Sequence, residues 1–385
     1  MTCSLAARRS VIENATSVVV KVGTRVLTTD QGDLDRSRIS LLAAQLCRIA
    51  DTGRQTIMVS SGAVGAGVAK LGLDRRPIGL AELQAVAAIG QTELIQAYEE
   101  SLSSMNRHAA QVLLTTSDLR RRSGYLNVRN ALTQIHAFGS IAIVNENDSV
   151  AVSELMTTFG DNDRLAAQVA GLLNDSLLII LSDIDGLYDG PPTDPKSKLI
   201  DLVEVIDHKV LAMAQDHHAA ESKGGMASKL EAAQVATSHG HPTIIAPGRD
   251  DQVLDKIFSE QPIGTLFMPP EKSIRGRRRW IGSAARVAGS LVLDAGAAEA
   301  VCNKGSSLLA IGITKTSGTF QRGSVVSIHD PSGQEIARGL CNYPSSEVEK
   351  IIGRSNAKIS MLLGHRPYKN VVHRDNLVIT GQAEN

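Results

Sequence analysis

Aromatic residues make up only 3% of this 385-residue chain, so its cores must be built from Leu, Ile, Val and Ala. A chain so poor in aromatic rings is not suited to stacking on nucleic-acid bases as its main activity. Net charge is missing too: 40 Lys and Arg balance 40 Asp and Glu, so no overall field draws the molecule to nucleic acid or membrane. The four cysteines, Cys3, Cys47, Cys302 and Cys341, lie far apart with no C-x-x-C pair. That spacing argues against a disulfide framework and a structural zinc site, and it fits a reducing cytoplasm. No apolar run is long enough to span a bilayer. The opening residues, MTCSLAARRSVIENATS, lack the apolar centre of a signal peptide and are expected to form a short frayed extension.

What is present is organised around Asn145 to Asp163, NENDSVAVSELMTTFGDND, whose two ends are crowded with asparagines and acids. The first cluster closes an apolar run, Ile141-Ala142-Ile143-Val144, that reads as a buried parallel strand. The second opens a helical spacing of Leu165, Val169, Leu172 and Leu173, with Asn162 or Asp163 as its cap. The preference of Asn and Asp for turns and caps explains one cluster well and both poorly. A strand end and a helix start, both dense in amides and carboxylates, suit a site for an ammonium, a hydroxyl or a metal-bound phosphate.

Ahead of that stretch, Ser17–Val22 (SVVVKV) predicts a central strand buried on both faces, broken only by Lys21. A lysine there needs a partner for its charge, unless its stem snorkels out at the strand end. A helix is expected over about Asp35 to Ala50. The strand Thr56–Ser60 runs into SSGAVGAG at 60–67, a glycine-rich turn and helix start that offers N–H groups to a phosphate or a carboxylate. It matches neither the G-x-G-x-x-G dinucleotide pattern nor the G-x-x-x-x-G-K-S/T phosphate loop. A long helix around Leu80 to Ser104 is expected to break or bend near Gly90, and Arg120-Arg121-Arg122 reads as a solvated charge run.

Beyond the central stretch, Leu177–Leu181 (LLIIL) is another buried strand, ending in Ser182-Asp183. Lys21, Ser61, Asn145 and Ser182-Asp183 therefore all sit at carboxyl ends of strands, where an open α/β sheet binds its ligand. ESKGGMAS at 221–228 makes a glycine turn into a helix with Lys229 just inside, a cradle for nucleotide phosphates. Pro269-Pro270-Glu271-Lys272 is a linker by composition. The expected fold class is α/β: an open, mostly parallel sheet sandwiched by helices over 1–268, a linker over 269–277, and a small mostly-β domain over 278–385. Strands of that last domain are expected at Ser290–Leu293, Leu308–Thr314, Ser324–His329 and Glu335–Cys341, with a closing helix near Glu347–Ile352. RGRRR at 275–279 reads as a solvated linker in preference to a set of phosphate contacts.

Six ordered motifs, VVKVGT at 19–24, SSGAVGAG at 60–67, VNEND at 144–148, GDND at 160–163, LSDIDGLY at 181–188 and GGMASK at 224–229, resemble the amino-acid kinase family. Within it they are most similar to the branch that phosphorylates the side-chain carboxylate of glutamate. RRRWI, LVLDAGAAEAV, KGSSLLAIGI, F-x-RGSVVSI and VVHRDNLVI resemble the PUA domain that many of those kinases carry, so the resemblance covers nearly the whole chain. It implies an enzyme of amino-acid biosynthesis that uses ATP and Mg²⁺ to phosphorylate L-glutamate on the route to proline. By that resemblance Lys21 and Lys229 grip the transferring phosphoryl group and Asp163 holds both lysines. Ser61, Asp148 and Asn162, with Asn145 beside them, bind glutamate. ATP lies on Lys21, on Ser182 and Asp183, and on the run Lys223, Gly224, Gly225, Met226, Ala227, Ser228 and Lys229.

The resemblance implies no protein ligands for the metal, since Mg²⁺ is carried mainly by ATP. It also implies a cytoplasmic homo-oligomer, dimer or tetramer, inhibited by proline. Two departures stand out: Lys223 where the family often has a small hydroxyl residue, and Ser182 in place of the more usual threonine. Both touch nucleotide contact, not the reaction. The rival reading is an RNA-binding PUA protein whose kinase-like half is a regulatory scaffold, with the 275–279 run and Lys304 on phosphates. The intact set of Lys21, Lys229 and Asp163 speaks against it.

Overall fold

The β-branched run Ser17–Val22 forms strand β1, and every residue in it is buried. The computed structural model describes residues 2–29, 31–120, 122–150, 162–215, 225–270, 287–364 and 368–380. The chain divides into two units, Met1–Arg121 with Asn127–Ile274, and Arg275–Asn385 with Arg122–Leu126. In the first, β1 pairs in parallel with β2 (Gln55–Ser60) on one side and β5 (Ser176–Ser182) on the other. Strands β3 (Ala109–Leu114), β4 (Ile141–Glu146), β6 (Leu202–Val203), β7 (Thr243–Pro247) and β8 (Thr265–Phe267) complete a sheet ordered β3-β4-β2-β1-β5-β7-β8-β6. The sheet is parallel from β3 through β7, and β8 then runs antiparallel to β7.

Helices α1 (Thr2–Asn14), α2 (Thr24–Leu27), α3 (Arg36–Asp51), α4 (Ala63–Lys70) and α5 (Leu80–Ser103) precede β3. Helices α6 (Thr116–Arg120) and α7 (Arg122–Ala137) lead into β4, and α8 (Asp163–Leu172), α9 (His208–Gln215), α10 (Met226–Ser238) and α11 (Val253–Phe258) follow. Val18, Val20 and Val22 share a core with Ile39, Leu42 and Leu46 of α3 and with Leu94 and Tyr98 of α5. Side chains alternate along a strand, so Val19 and Lys21 turn to the opposite layer. There α8 packs on β1 and α10 packs on α8. That alternation is what aims Lys21 at the helices that carry Asp163 and Lys229.

Residues 2–14 are not a frayed extension, because α1 is tied down. Arg8 is buried and donates to the Asp201 carboxylate at 2.6 Å, to the Asp201 carbonyl at 3.0 Å, and to the carbonyls of Ile263 and Gly264 at 2.9 and 2.8 Å. Val11 and Ile12 are buried beside it, but two apolar residues make too short a stripe to announce the helix. Helix α5 runs without a break through Gly90. A Cβ there would lie 1.8 Å from the carbonyl oxygen of Ala63, so the glycine admits α4 at close quarters.

The second unit is a five-stranded sheet ordered β10-β9-β11-β12-β13. Its elements are β9 (Gly289–Leu293), α12 (Ala295–Asn303), β10 (Ile313–Ser317), β11 (Val325–His329), β12 (Glu335–Cys341), α13 (Ser345–Ile351), α14 (Asn356–Leu363) and β13 (Val372–Ile379). The strand expected at 308–314 is instead a single bridge at Leu308 and a 3-10 turn at Ala310–Gly312 before β10. Nor does α13 close the unit: α14 follows, and β13 returns to pair with β12. The run 275–279, Trp280 and the side chains of Arg120, Arg121 and Arg122 lie outside the described residues.

Replacing Arg8→Met keeps the apolar stem and removes every donor. The buried carbonyls of Ile263 and Gly264 then lose their partner, and stability should fall by about 2–4 kcal/mol. A lower urea midpoint with an unchanged slope is the expected reading.

Candidate active site

Strand register brings the site to one level of the sheet. Lys21 lies opposite Val59 and Ile180, and Val22 lies opposite Ser60 and Leu181. Val59 in turn lies opposite Val144. Lys21, Ser61, Asn145 and Ser182 therefore emerge together at the carboxyl edge, flanking β1, where successive crossovers leave in opposite directions. With Asp148, Asn162 and Lys229 they line a cavity of about 440 Å³. A smaller cavity of about 160 Å³ shares Arg25, Ser182, Asp183 and Lys229 with it and adds Gly225, Met226 and Tyr188.

Asp163 opens α8 and meets both lysines. Lys21 Nζ lies 2.5 Å from its Oδ1 and Lys229 Nζ lies 3.5 Å from its Oδ2, with all three side chains no more than 6% exposed. The Ser228 hydroxyl donates to Oδ2 at 3.0 Å and steadies the carboxylate. Both lysines line the cavity, and ammonium groups on its wall suit an anion.

Asn162 precedes α8 but makes no capping bond with its side chain. Its amide points into the site instead, donating to the Ser60 carbonyl at 2.6 Å and to Asn145 Oδ1 at 2.7 Å. The Asn145 amide donates onward to Gln91 Oε1 at 2.7 Å, and its Oδ1 also accepts from the Glu146 N–H. Ser60 is held from behind by Tyr98, whose hydroxyl lies 3.1 Å from Ser60 Oγ and whose pKa burial pushes up. Gly62, at φ 105°, turns the chain so that α4 begins at the cavity wall. The first-turn N–H groups of α4 have no partner within the helix, which suits an anion in the cavity.

Burial works to raise the Asp183 carboxyl, but hydrogen bonds from Arg25 at 2.9 Å and from Ser182 at 3.0 Å outweigh it and hold the carboxyl below its usual range. Asp148 lines the larger cavity with Arg76, where the desolvation that lowers the guanidinium is opposed by the Asp148 charge. Gly225 and Met226 line the smaller cavity. Ala227 is exposed on the first turn of α10 and lines neither. Lys223 and Gly224 lie outside the described residues. Three residues were missed from sequence: Arg25, Arg76 and Gln91. For Arg25 a signal existed, a second cation in the turn directly after Lys21. Gln91, inside a long helix, gave none.

The amino acid kinase family model matches residues 16–247, and the PUA domain model matches residues 289–363. The chain belongs to the amino acid kinase family. A glutamate 5-kinase from Rhodopirellula baltica is 62% identical to it, over 97% of this chain and 96% of that protein. The glutamate 5-kinases of Moorella thermoacetica and Trichlorobacter lovleyi are 43% and 44% identical, each over 97% of this chain and over 98% and 99% of their own length. Among amino acid kinases, then, this one sits with the glutamate 5-kinases.

Asn162→Leu keeps roughly the same volume and removes the amide, leaving the buried Ser60 carbonyl without its donor. A loss of about 1–3 kcal/mol is expected, read by thermal or urea unfolding.

Proposed function

We propose that this kinase transfers the γ-phosphoryl group of ATP to the side-chain carboxylate of L-glutamate, giving glutamyl 5-phosphate and ADP, the first step of proline biosynthesis. The observation that carries this reading is the pair of buried lysines held by Asp163 where two cavities meet. In the transfer a carboxylate oxygen bonds to the γ-phosphorus as the bond to the bridging oxygen breaks, and that electron pair leaves with ADP. No proton moves, so no general base is required. An ionised carboxylate and a triphosphate repel, and phosphoryl transfer asks the protein mainly for positioning and charge neutralisation. Lys21 and Lys229 supply both, and Asp163 keeps them from splaying apart.

On this reading the larger cavity takes glutamate. Asp148 receives the α-ammonium, with Ser61, Asn145 and Asn162 alongside. The smaller takes the nucleotide against Ser182, Asp183 and the start of α10, with Lys223 and Gly224 included by resemblance. No group of three or more His, Cys, Asp or Glu side chains among the described residues could hold a metal. Among the described residues, the acids lining the larger cavity are Asp148 and Asp183. That donor set fits a Mg²⁺ that arrives on the ATP phosphates, where it would add to the charge neutralisation.

No helix among the described residues is long and apolar enough to cross a membrane. Proline inhibition at or near the glutamate site, a cytoplasmic location and a homo-oligomeric assembly come with the family reading. The PUA match adds RNA as a partner beside the catalysis. Three charges buried together favour a working site over a scaffold, because ion pairs of this kind are weak stabilisers.

Purified protein with ATP, Mg²⁺, glutamate and hydroxylamine should form hydroxamate. L-Glutamate should support it and N-acetylglutamate should not, since Asp148 calls for a free ammonium. Equal turnover of both would overturn the substrate assignment.

Lys229→Met keeps the stem and removes the charge, so packing around Leu230 survives. If Lys229 acts on the moving phosphoryl group, kcat should fall at least about a hundredfold with both KM values nearly unchanged. An unchanged kcat with a raised ATP KM would reduce Lys229 to a nucleotide holder.

A further inference from the structure

Arg25 stands at the junction of the two cavities and has no part in the chemistry described so far. It lines both of them, together with Ser182, Asp183 and Lys229. A molecule that occupies both cavities at once therefore passes along Arg25, Ser182, Asp183 and Lys229. Two of the four junction residues are cations, and they differ in how they are held. Lys229 is buried and tied to Asp163, so its ammonium stays where it is. The Arg25 side chain is 65% exposed, and its one ion pair is with Asp183, itself 35% exposed, at 2.9 Å.

The stem of Arg25 is nonetheless rooted. Its neighbours Val26 and Leu27 are buried, and its carbonyl accepts a hydrogen bond from Arg249 at 2.8 Å. The backbone is fixed while the guanidinium can turn. An ion pair between exposed side chains is weak, because water screens it and two flexible chains must be ordered to hold it. A phosphate offers more charge than a carboxylate and a geometry that accepts the planar fork of a guanidinium. Asp183 retains the Ser182 hydroxyl at 3.0 Å when Arg25 leaves.

We propose that Arg25 contacts the phosphate chain of the nucleotide, exchanging its ion pair with Asp183 for the bound polyphosphate as it crosses from the smaller cavity to the larger. This rests on the reading that the smaller cavity holds the nucleotide. Lys21 and Lys229 form the fixed part of the anion site, and Arg25 forms the part that closes on arrival.

The test uses the full-length protein and two variants, Arg25→Gln and Arg25→Lys. Binding of ATP and of adenosine is measured by calorimetry, and KM is measured for ATP and glutamate. Arg25→Gln should weaken ATP about tenfold or more and leave adenosine binding and the glutamate KM unchanged. Arg25→Lys should recover part of the loss, since it restores a charge without the fork. Unaltered ATP affinity in Arg25→Gln overturns the proposal. So does a loss shared equally by adenosine, which would mean that Arg25 only shapes the pocket. If the unaltered protein binds neither ATP nor adenosine, the nucleotide reading itself fails and this contact fails with it.

Discussion

A single carboxylate set between two buried ammonium groups governs this molecule. Asp163 has one oxygen for Lys21 and the other for Lys229, so it joins the central strand to α10 through the first residue of α8. Three elements far apart in the chain converge on one point because each delivers one charge to it. A buried ion triad gives up some stability relative to an apolar core of equal volume, and in exchange it holds two ammonium groups on a cavity wall.

The chain as a whole carries no net charge, but it gathers charge locally. Among the described residues, Lys21, Arg25, Arg76 and Lys229 line the larger cavity with Asp148 and Asp183, while Asp163 holds the two lysines. Low-dielectric walls keep such a local field from being averaged away by the rest of the surface. Behind the charged groups stands a neutral frame: Asn162 donates to Asn145 and Asn145 to Gln91, Asn162 also donates to the Ser60 carbonyl, and the Ser60 hydroxyl meets that of Tyr98.

Much of this could be read from the residues alone, for identifiable reasons. β1 was legible because five of its six residues belong in a buried parallel strand and the sixth does not. The gathering of Lys21, Ser61, Asn145 and Ser182 was legible because parallel strands put all their carboxyl ends on one side. What α8 does with Asn162 was not, since an Asn before a helix reads as a cap, and only the tertiary fold supplies better acceptors. The roles given to Asp163 and Lys229 needed the family resemblance, because neither periodicity nor spacing says which buried charges meet. Helix α1 escaped notice because its buried apolar face is only Val11 and Ile12, and Arg8 holds it through partners 193 and 256 residues away. The second unit was legible where strands alternate cleanly and was misread at 308–314, where a short apolar run turns instead of extending.

The span of those Arg8 bonds bears on how the protein is made. β1 leaves the ribosome among the first residues, but β5, its other neighbour, and Asp163, its lysine's partner, follow only much later. Until then Lys21 keeps its hydration, and the strand cannot be covered on both faces. Two of the carbonyls that bind Arg8 come later still, from Ile263 and Gly264 just ahead of β8, so the first helix docks only when the sheet's far edge is made. Contacts this distant in sequence make folding slow and leave a β-branched segment exposed meanwhile. The lysine pair thus waits for α10, and the docking of α1 waits longer still, so neither can form early in synthesis.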